Sequence, residues 1–192
     1  MRLAVLASGN GSNFEAIVQA VEQGLVSAEL AFVFSDKKDA YVLERAAKHG
    51  IKTIQFSVKD FSSKALYEAE LRDVLIEHRI DLVVLAGYMR IIGPALLDAF
   101  TNRIINLHPS LLPSFPGLHG IKDAFDYGVK VTGITIHYVD AGVDTGPIIE
   151  QVATEITTED TLATLEEKIH RLEHETYPRV LAKLVKEGVN EQ

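Results

Sequence analysis

Apolar positions along the chain follow two rhythms. Short, mainly apolar runs at residues 2–7 (RLAVLA), 29–35 (ELAFVFS), 81–86 (DLVVLA) and 103–107, with a weaker one at 52–56, have the length of buried strands. The segments between them carry helical spacing. Ser12 or Asn13 can cap a helix running to about Gln23, with Phe14, Ile17, Val18 and Val21 on one face. Residues 39–49 read as a helix that stops at Gly50, a left-handed C-cap. Ser62 or Ser63 opens a longer helix to about Arg79, and Pro94 starts a short one to Phe100.

The second half changes pattern. Residues 131–139 (VTGITIHYV) alternate and are rich in β-branched side chains, and 147–152 (PIIEQV) follow a glycine-rich turn. Two such strands so close in sequence predict an antiparallel addition to the sheet. Asp160 or Thr161 then caps a terminal helix with Leu162, Leu165, Ile169 and Leu172 on its apolar face, which Pro178 kinks or ends. Strand–helix alternation with near-continuous apolar strands means an α/β fold. The expected architecture is a Rossmann-like open, mostly parallel twisted sheet with helices on both faces and an antiparallel extension near the C-terminus.

Composition narrows the classes. The 192 residues are 47% apolar and 24% charged, which suits one domain spanning 1–192 with a proper core. No apolar run approaches the ~20 residues that cross a bilayer, so no membrane partner is expected. No signal peptide is read at Met1-Arg2-Leu3, and residues 188–192 read as a frayed polar tail. The net charge of −8 argues against nucleic acid. The absence of cysteine removes disulfides, thiolate metal sites and any Cys nucleophile, and fits a reducing compartment. His170 and His174 flank Glu173, but this is not a His-Glu-x-x-His pattern, and no metal is expected.

Three segments carry chemistry. Residues 7–13 (ASGNGSN) join a strand to a helix, where amides gather and a phosphate can bind. Walker A and dinucleotide fingerprints both fail there, because no lysine follows and Phe14 stands where a third glycine is needed. A plain tight turn is the alternative. Asn106 and His108, two apart at the end of an apolar strand, point to one face and can donate to a developing oxyanion. Capping of the next turn is the alternative. The proline-rich 110–117 that follows predicts a stiff loop, with Leu112–Pro113 the best candidate for a cis bond. Asp144, between Gly142 and Gly146, can orient His108 or serve an Asx-turn.

Four segments in order (SGNGSN at 8–13, AGYMR at 86–90, NLHPSLLP at 106–113 and DTGP at 144–147) resemble the folate-dependent formyltransferases, and in particular the phosphoribosylglycinamide formyltransferase family, over essentially the whole chain. The resemblance implies formyl transfer from the co-substrate 10-formyltetrahydrofolate to the amine of glycinamide ribonucleotide, through a tetrahedral intermediate. It implies Asn106, His108 and Asp144 as catalytic residues, and Gly11, Ser12, Asn13 and Glu173 at the phosphate and ribose. Lys64, Met89, Arg90, Ile91, Ile92 and Asp144 would meet the folate, with Leu85, Leu97, Ile104 and Val139 as apolar walls. Residues 1–100 then form a phosphate-binding half and 101–192 a catalytic and folate-binding half. A cytoplasmic monomer or homodimer acting on small molecules is expected.

His119 and His137 have no firm role at this level, and a satisfied strand histidine is an equal reading of His137. Methionyl-tRNA formyltransferase and formyltetrahydrofolate hydrolase share the catalytic motif but carry further domains that this sequence is not expected to have. A non-catalytic nucleotide-binding module is the rival from another class. It requires that Asn106, His108 and Asp144 fail to converge.

Overall fold

A computed structural model describes residues 1–188; most of the expected polar tail lies outside the described residues. The first half alternates as the sequence predicts. β1 (Arg2–Leu6) leads to α1 (Ser12–Glu22), β2 (Glu29–Ser35) to α2 (Tyr41–Lys48), and the short β3 (Thr53–Gln55) to α3 (Lys64–Glu77). β4 (Leu82–Leu85) and α4 (Pro94–Ala99) precede β5 (Ile104–His108). The second half holds α5 (Gly120–Tyr127), the antiparallel β6 (Val131–Tyr138) and β7 (Ile148–Glu155), and α6 (Leu162–Glu187). Among the described residues no helix is long and apolar enough to cross a membrane.

The strands form one sheet in the order β3-β2-β1-β4-β5-β6-β7. All pairings from β3 to β5 are parallel, and β5–β6 and β6–β7 are antiparallel. The strand period of two sorts side chains onto two faces. Leu3, Val5 and Val84 face α1 and α6, while Ala4, Leu6, Val83 and Leu85 face α3 and α4. Both faces are therefore buried, which is why these strands read as mainly apolar runs. Leu71, fully buried on α3, contributes on the order of 2 kcal/mol by leaving water.

Three local expectations need correction. Neither Ser12 nor Asn13 caps α1; the N-cap is Gly11 in a left-handed conformation, with no side-chain cap. Residues 120–127 form a helix that the sequence pattern does not announce, because the prolines before it dominate the local signal. Pro178 does not end α6, which continues to Glu187. Its ring is buried against the protein, and packing of the helix offsets the lost backbone bond. At the other ends, Ser63 accepts the Leu66 N–H and Thr161 forms a capping box with Thr164. The Leu112–Pro113 bond is cis, as expected.

Candidate active site

β1 and β4 are neighbours, yet the chain leaves them toward opposite sides of the sheet. Such a reversal opens a crevice beyond the carboxyl ends of the strands. A cleft of about 570 Å³ occupies that place. Gly11, Ser12, Asn13, Met89, Arg90, Ile91 and Ile92 line it, together with Asn106, His108, Asp144 and Glu173. Leu85 and Val139 complete its apolar wall, whereas Leu97 and Ile104 belong to the core beneath α3 and α4. Lys64 does not line it; its ammonium pairs with buried Glu68 at 3.4 Å.

The glycine loop is shaped by close packing. Gly11 has φ 78°, and a Cβ there would stand 2.5 Å from Val42 Cγ2 on α2. Arg45 clamps the loop by donating to the Asn10 carbonyl at 2.9 Å and to Asn10 Oδ1 at 3.0 Å. That guanidinium is thus committed to the loop, and an anion here meets the amides opening α1. Across the cleft, Glu173 on α6 is 4% exposed. Its Oε2 accepts from Asn13 Nδ2 at 3.1 Å and from His170 Nδ1 at 3.0 Å. The bond to Glu173 raises the pKa of His170, outweighing burial, with the charges of Glu173 and Glu166 adding to the rise. Asn13 Oδ1 is buried without a partner among the described residues, so it can accept from a ligand hydroxyl.

The catalytic candidates meet at the β5–β6 junction. Asn106 and His108 share a face of β5, and Asn106 is the direct cross-strand partner of His137. His108 is 4% exposed, and its Nε2–H donates to the Phe115 carbonyl at 2.8 Å. Its Nδ1 faces Asp144 Oδ2 at 3.4 Å. Asn106 Nδ2 donates to His137 Nε2 at 3.4 Å, and that imidazole nitrogen lies 3.7 Å from Asp144 Oδ1. Burial alone would raise the Asp144 pKa. The approach of His137, the Gly117 N–H at 2.8 Å and the His108 ring outweigh it and hold the carboxyl below its ordinary value.

The loop behind these groups is braced rather than floppy. Thr135 Oγ1 accepts the Leu112 N–H at 3.0 Å and donates to the Ser110 carbonyl at 2.7 Å. Gln151 Nε2 donates to the Leu112 carbonyl at 2.9 Å. Phe115 takes a left-handed φ of 53° beside the carbonyl that it offers to His108. These bonds fix the ring before any ligand arrives, as preorganised catalysis requires.

Comparison with known proteins identifies the family. The family model described as formyl transferase matches residues 1–181. The chain belongs to the formyl transferase family. It is 50% identical over 189 residues to the phosphoribosylglycinamide formyltransferase of Bacillus subtilis, covering 98% of this chain and 96% of the relative. The crystal structure of phosphoribosylglycinamide formyltransferase from Bacillus halodurans superposes with a TM-score of 0.94 at 52% identity, covering 96% of this chain and 95% of that one. The trifunctional purine biosynthetic protein adenosine-3 of Drosophila melanogaster is 44% identical over 96% of this chain but only 14% of its own length.

Around this cleft, the sequence leaves two residues unassigned. His137 is 2% exposed and joins Asn106 to Asp144. In sequence it reads equally as a residue near the site or a satisfied strand histidine; its register opposite Asn106 decides. Asp36, 3% exposed beyond β2, binds both Ser8 and Arg90, and no sequence motif marks it. His119 is the exposed N-cap residue of α5 and does not line the cleft.

Proposed function

We propose that this protein transfers the formyl group of 10-formyltetrahydrofolate to the amine of glycinamide ribonucleotide, in purine synthesis. Tetrahydrofolate and formylglycinamide ribonucleotide are the products. The observation that carries this is the convergence of Asn106, His108 and Asp144 on the cleft that also holds the glycine loop. The non-catalytic alternative requires that they stay apart.

The chemistry needs hydrogen-bond donors and a base, and no covalent enzyme intermediate. The amine lone pair attacks the formyl carbon, and the carbonyl oxygen becomes an oxyanion. Asn106 Nδ2 and, with the imidazole in its doubly protonated form, His108 Nδ1–H are the donors. Both sit in 3.4 Å contacts, longer than a usual hydrogen bond, so each can donate to a stronger acceptor placed beside it without giving up a good bond. A donor so placed is worth ~10²–10³ in rate. Asp144 takes the proton released by the amine, directly or through water. The bond from carbon to the folate nitrogen then breaks, and that nitrogen takes up the proton.

The ribose hydroxyls of the substrate suit Glu173 and Asn13 Oδ1, and its phosphate suits the amides at Gly11–Asn13. The flat pterin suits the apolar wall of Ile92, Leu85 and Val139, with backbone groups of residues 89–92 at its edge. The phosphate loop comes from the first half of the chain and the catalytic triplet from the second, while the pterin wall draws on both, so the folate side is not confined to residues 101–192 as expected. All the groups come from a single chain, so the reading needs no second copy and fits a monomer or a homodimer. Soluble substrates suit a cytoplasmic enzyme.

Purified protein supplied with both substrates should yield formylglycinamide ribonucleotide in step with tetrahydrofolate. Release of formate alone, or transfer to methionyl-tRNA instead, would reject the assignment in favour of a sister activity.

A further inference from the structure

Asp36 is a buried carboxylate that the chemistry above does not use. Its side chain sits just beyond β2 at 3% exposure, between the two turns that open the cleft. Ser8 Oγ–H, from the turn after β1, donates to Oδ1 at 2.5 Å. Arg90 Nε–H, from the turn after β4, donates to Oδ2 at 2.7 Å. The Ser8 oxygen in turn accepts the Met89 N–H at 2.9 Å, closing a ring of contacts between the turns.

A buried charge is costly, and an uncharged residue at such a place is often no less stable. Packing alone therefore does not call for an aspartate here. The detail that matters is which arginine atom it binds. The bond uses Nε, which leaves the outer Nη1–Nη2 fork for a second carboxylate in the bidentate geometry that arginine favours. The guanidinium also lies 5.8 Å from the Tyr67 ring centroid, and Tyr67 is itself tied to Tyr88 through their hydroxyls at 2.6 Å. Arg90 is thus gripped from its stem side while 35% of its side chain is exposed at the cleft.

We infer that Asp36 is a positioning residue that aims the Arg90 fork at the carboxylate tail of the folate co-substrate, and links that aim to the phosphate loop through Ser8. This rests on the formyl-folate reading above. Without the carboxylate, Arg90 regains several rotamers and loses order before binding. Lys64 offers no equivalent, because it does not line the cleft and its ammonium has no fork.

The test compares 10-formyltetrahydrofolate with its counterpart lacking the glutamate. Asp36→Asn keeps the size and removes the charge. It should raise KM for the glutamate-bearing co-substrate by about ten-fold and leave KM for the tail-less one within about two-fold, with kcat little changed. The same substitution in an Arg90→Gln background should add nothing further. Equal rises for both co-substrates, or full additivity with Arg90→Gln, would overturn the proposal in favour of a merely structural aspartate. If Asp36→Asn does not fold, Asp36→Ser, which still offers Ser8 a partner, must show the same tail-selective loss. Failure of the wild-type protein to use formyl-folate at all would instead strike the functional assignment beneath it.

Discussion

Asp144 Oδ2 lies 3.4 Å from His108 Nδ1, and the aspartate reaches that point from a left-handed backbone with φ 54°. Aspartate and asparagine tolerate this conformation better than bulky residues do, so the turn and the chemistry ask for related side chains. The carboxylate is further fixed by the Gly117 N–H at 2.8 Å, from the loop that also presents Phe115 to His108. One turn therefore positions the proposed base, and its partner loop positions the ring.

Asp144→Asn separates charge from shape. The backbone conformation and the Gly117 bond can survive, while the base is lost. Steady-state kinetics should show kcat reduced by ~10²-fold or more, with KM for either substrate changed far less. A parallel rise in KM would assign Asp144 to binding.

The same residue sets a pH window for stability. Its folded pKa is held below the ordinary value, so its contribution is complete above the unfolded value and is lost as pH falls through the folded one. The stability difference between wild type and Asp144→Asn, measured by urea unfolding, should be constant near neutrality with respect to this group. It should shrink below about pH 4. A difference that grew on acidification would contradict the charge pattern around Asp144.

His170 has the opposite sign. Its folded pKa is raised by Glu173, so its contribution is complete below the ordinary histidine value and is lost as pH climbs through the raised one. Glu166 and the stacked His174 ring, with centroids 6.4 Å apart, are the other titratable groups facing it. KM for glycinamide ribonucleotide should rise as pH increases past the ordinary histidine range, while KM for the folate stays level. His170→Gln should flatten that rise. A pH dependence unchanged in the variant would place its origin elsewhere.

Gly11→Ala should cost about 1–3 kcal/mol in urea unfolding, from a positive φ together with a collision with Val42. Adding Val42→Ala should recover only a small part, because Val42 Cβ would still stand 2.6 Å from the added methyl. Full recovery would mean that the backbone angle is not strained.

Much of the fold and of the catalytic face is legible in the amino-acid sequence. Mainly apolar runs forecast strands buried on both faces, and residues 29–35 match β2 end to end. Asn106 and His108 stand out because the strand period alone puts them on one face. What stays hidden depends on neighbours distant in sequence. His137 gains its place from the register of β6 on β5, and Asp36 gains its from two turns reached through separate strands. Lys64, which the resemblance places at the folate, lies outside the cleft lining and pairs with Glu68 one helical turn away. α5 is obscured because local propensity after a proline-rich loop is a weak guide to a helix fixed by packing on α6.

The sheet also has a far edge, where the first four helices return to strands. Gly24, Gly50, Arg79 and Asn102 adopt left-handed angles in those turns, and none of them lines the cleft. Two of the four are not glycine, and Arg79 is exposed at φ 53°. Arg79→Gly should relieve about 1 kcal/mol of backbone strain without touching catalysis, seen as a higher melting temperature at unchanged turnover. The two edges thus offer different engineering terrain. One has little tolerance for insertion, and the other is where a fused domain or a surface tether can be grafted.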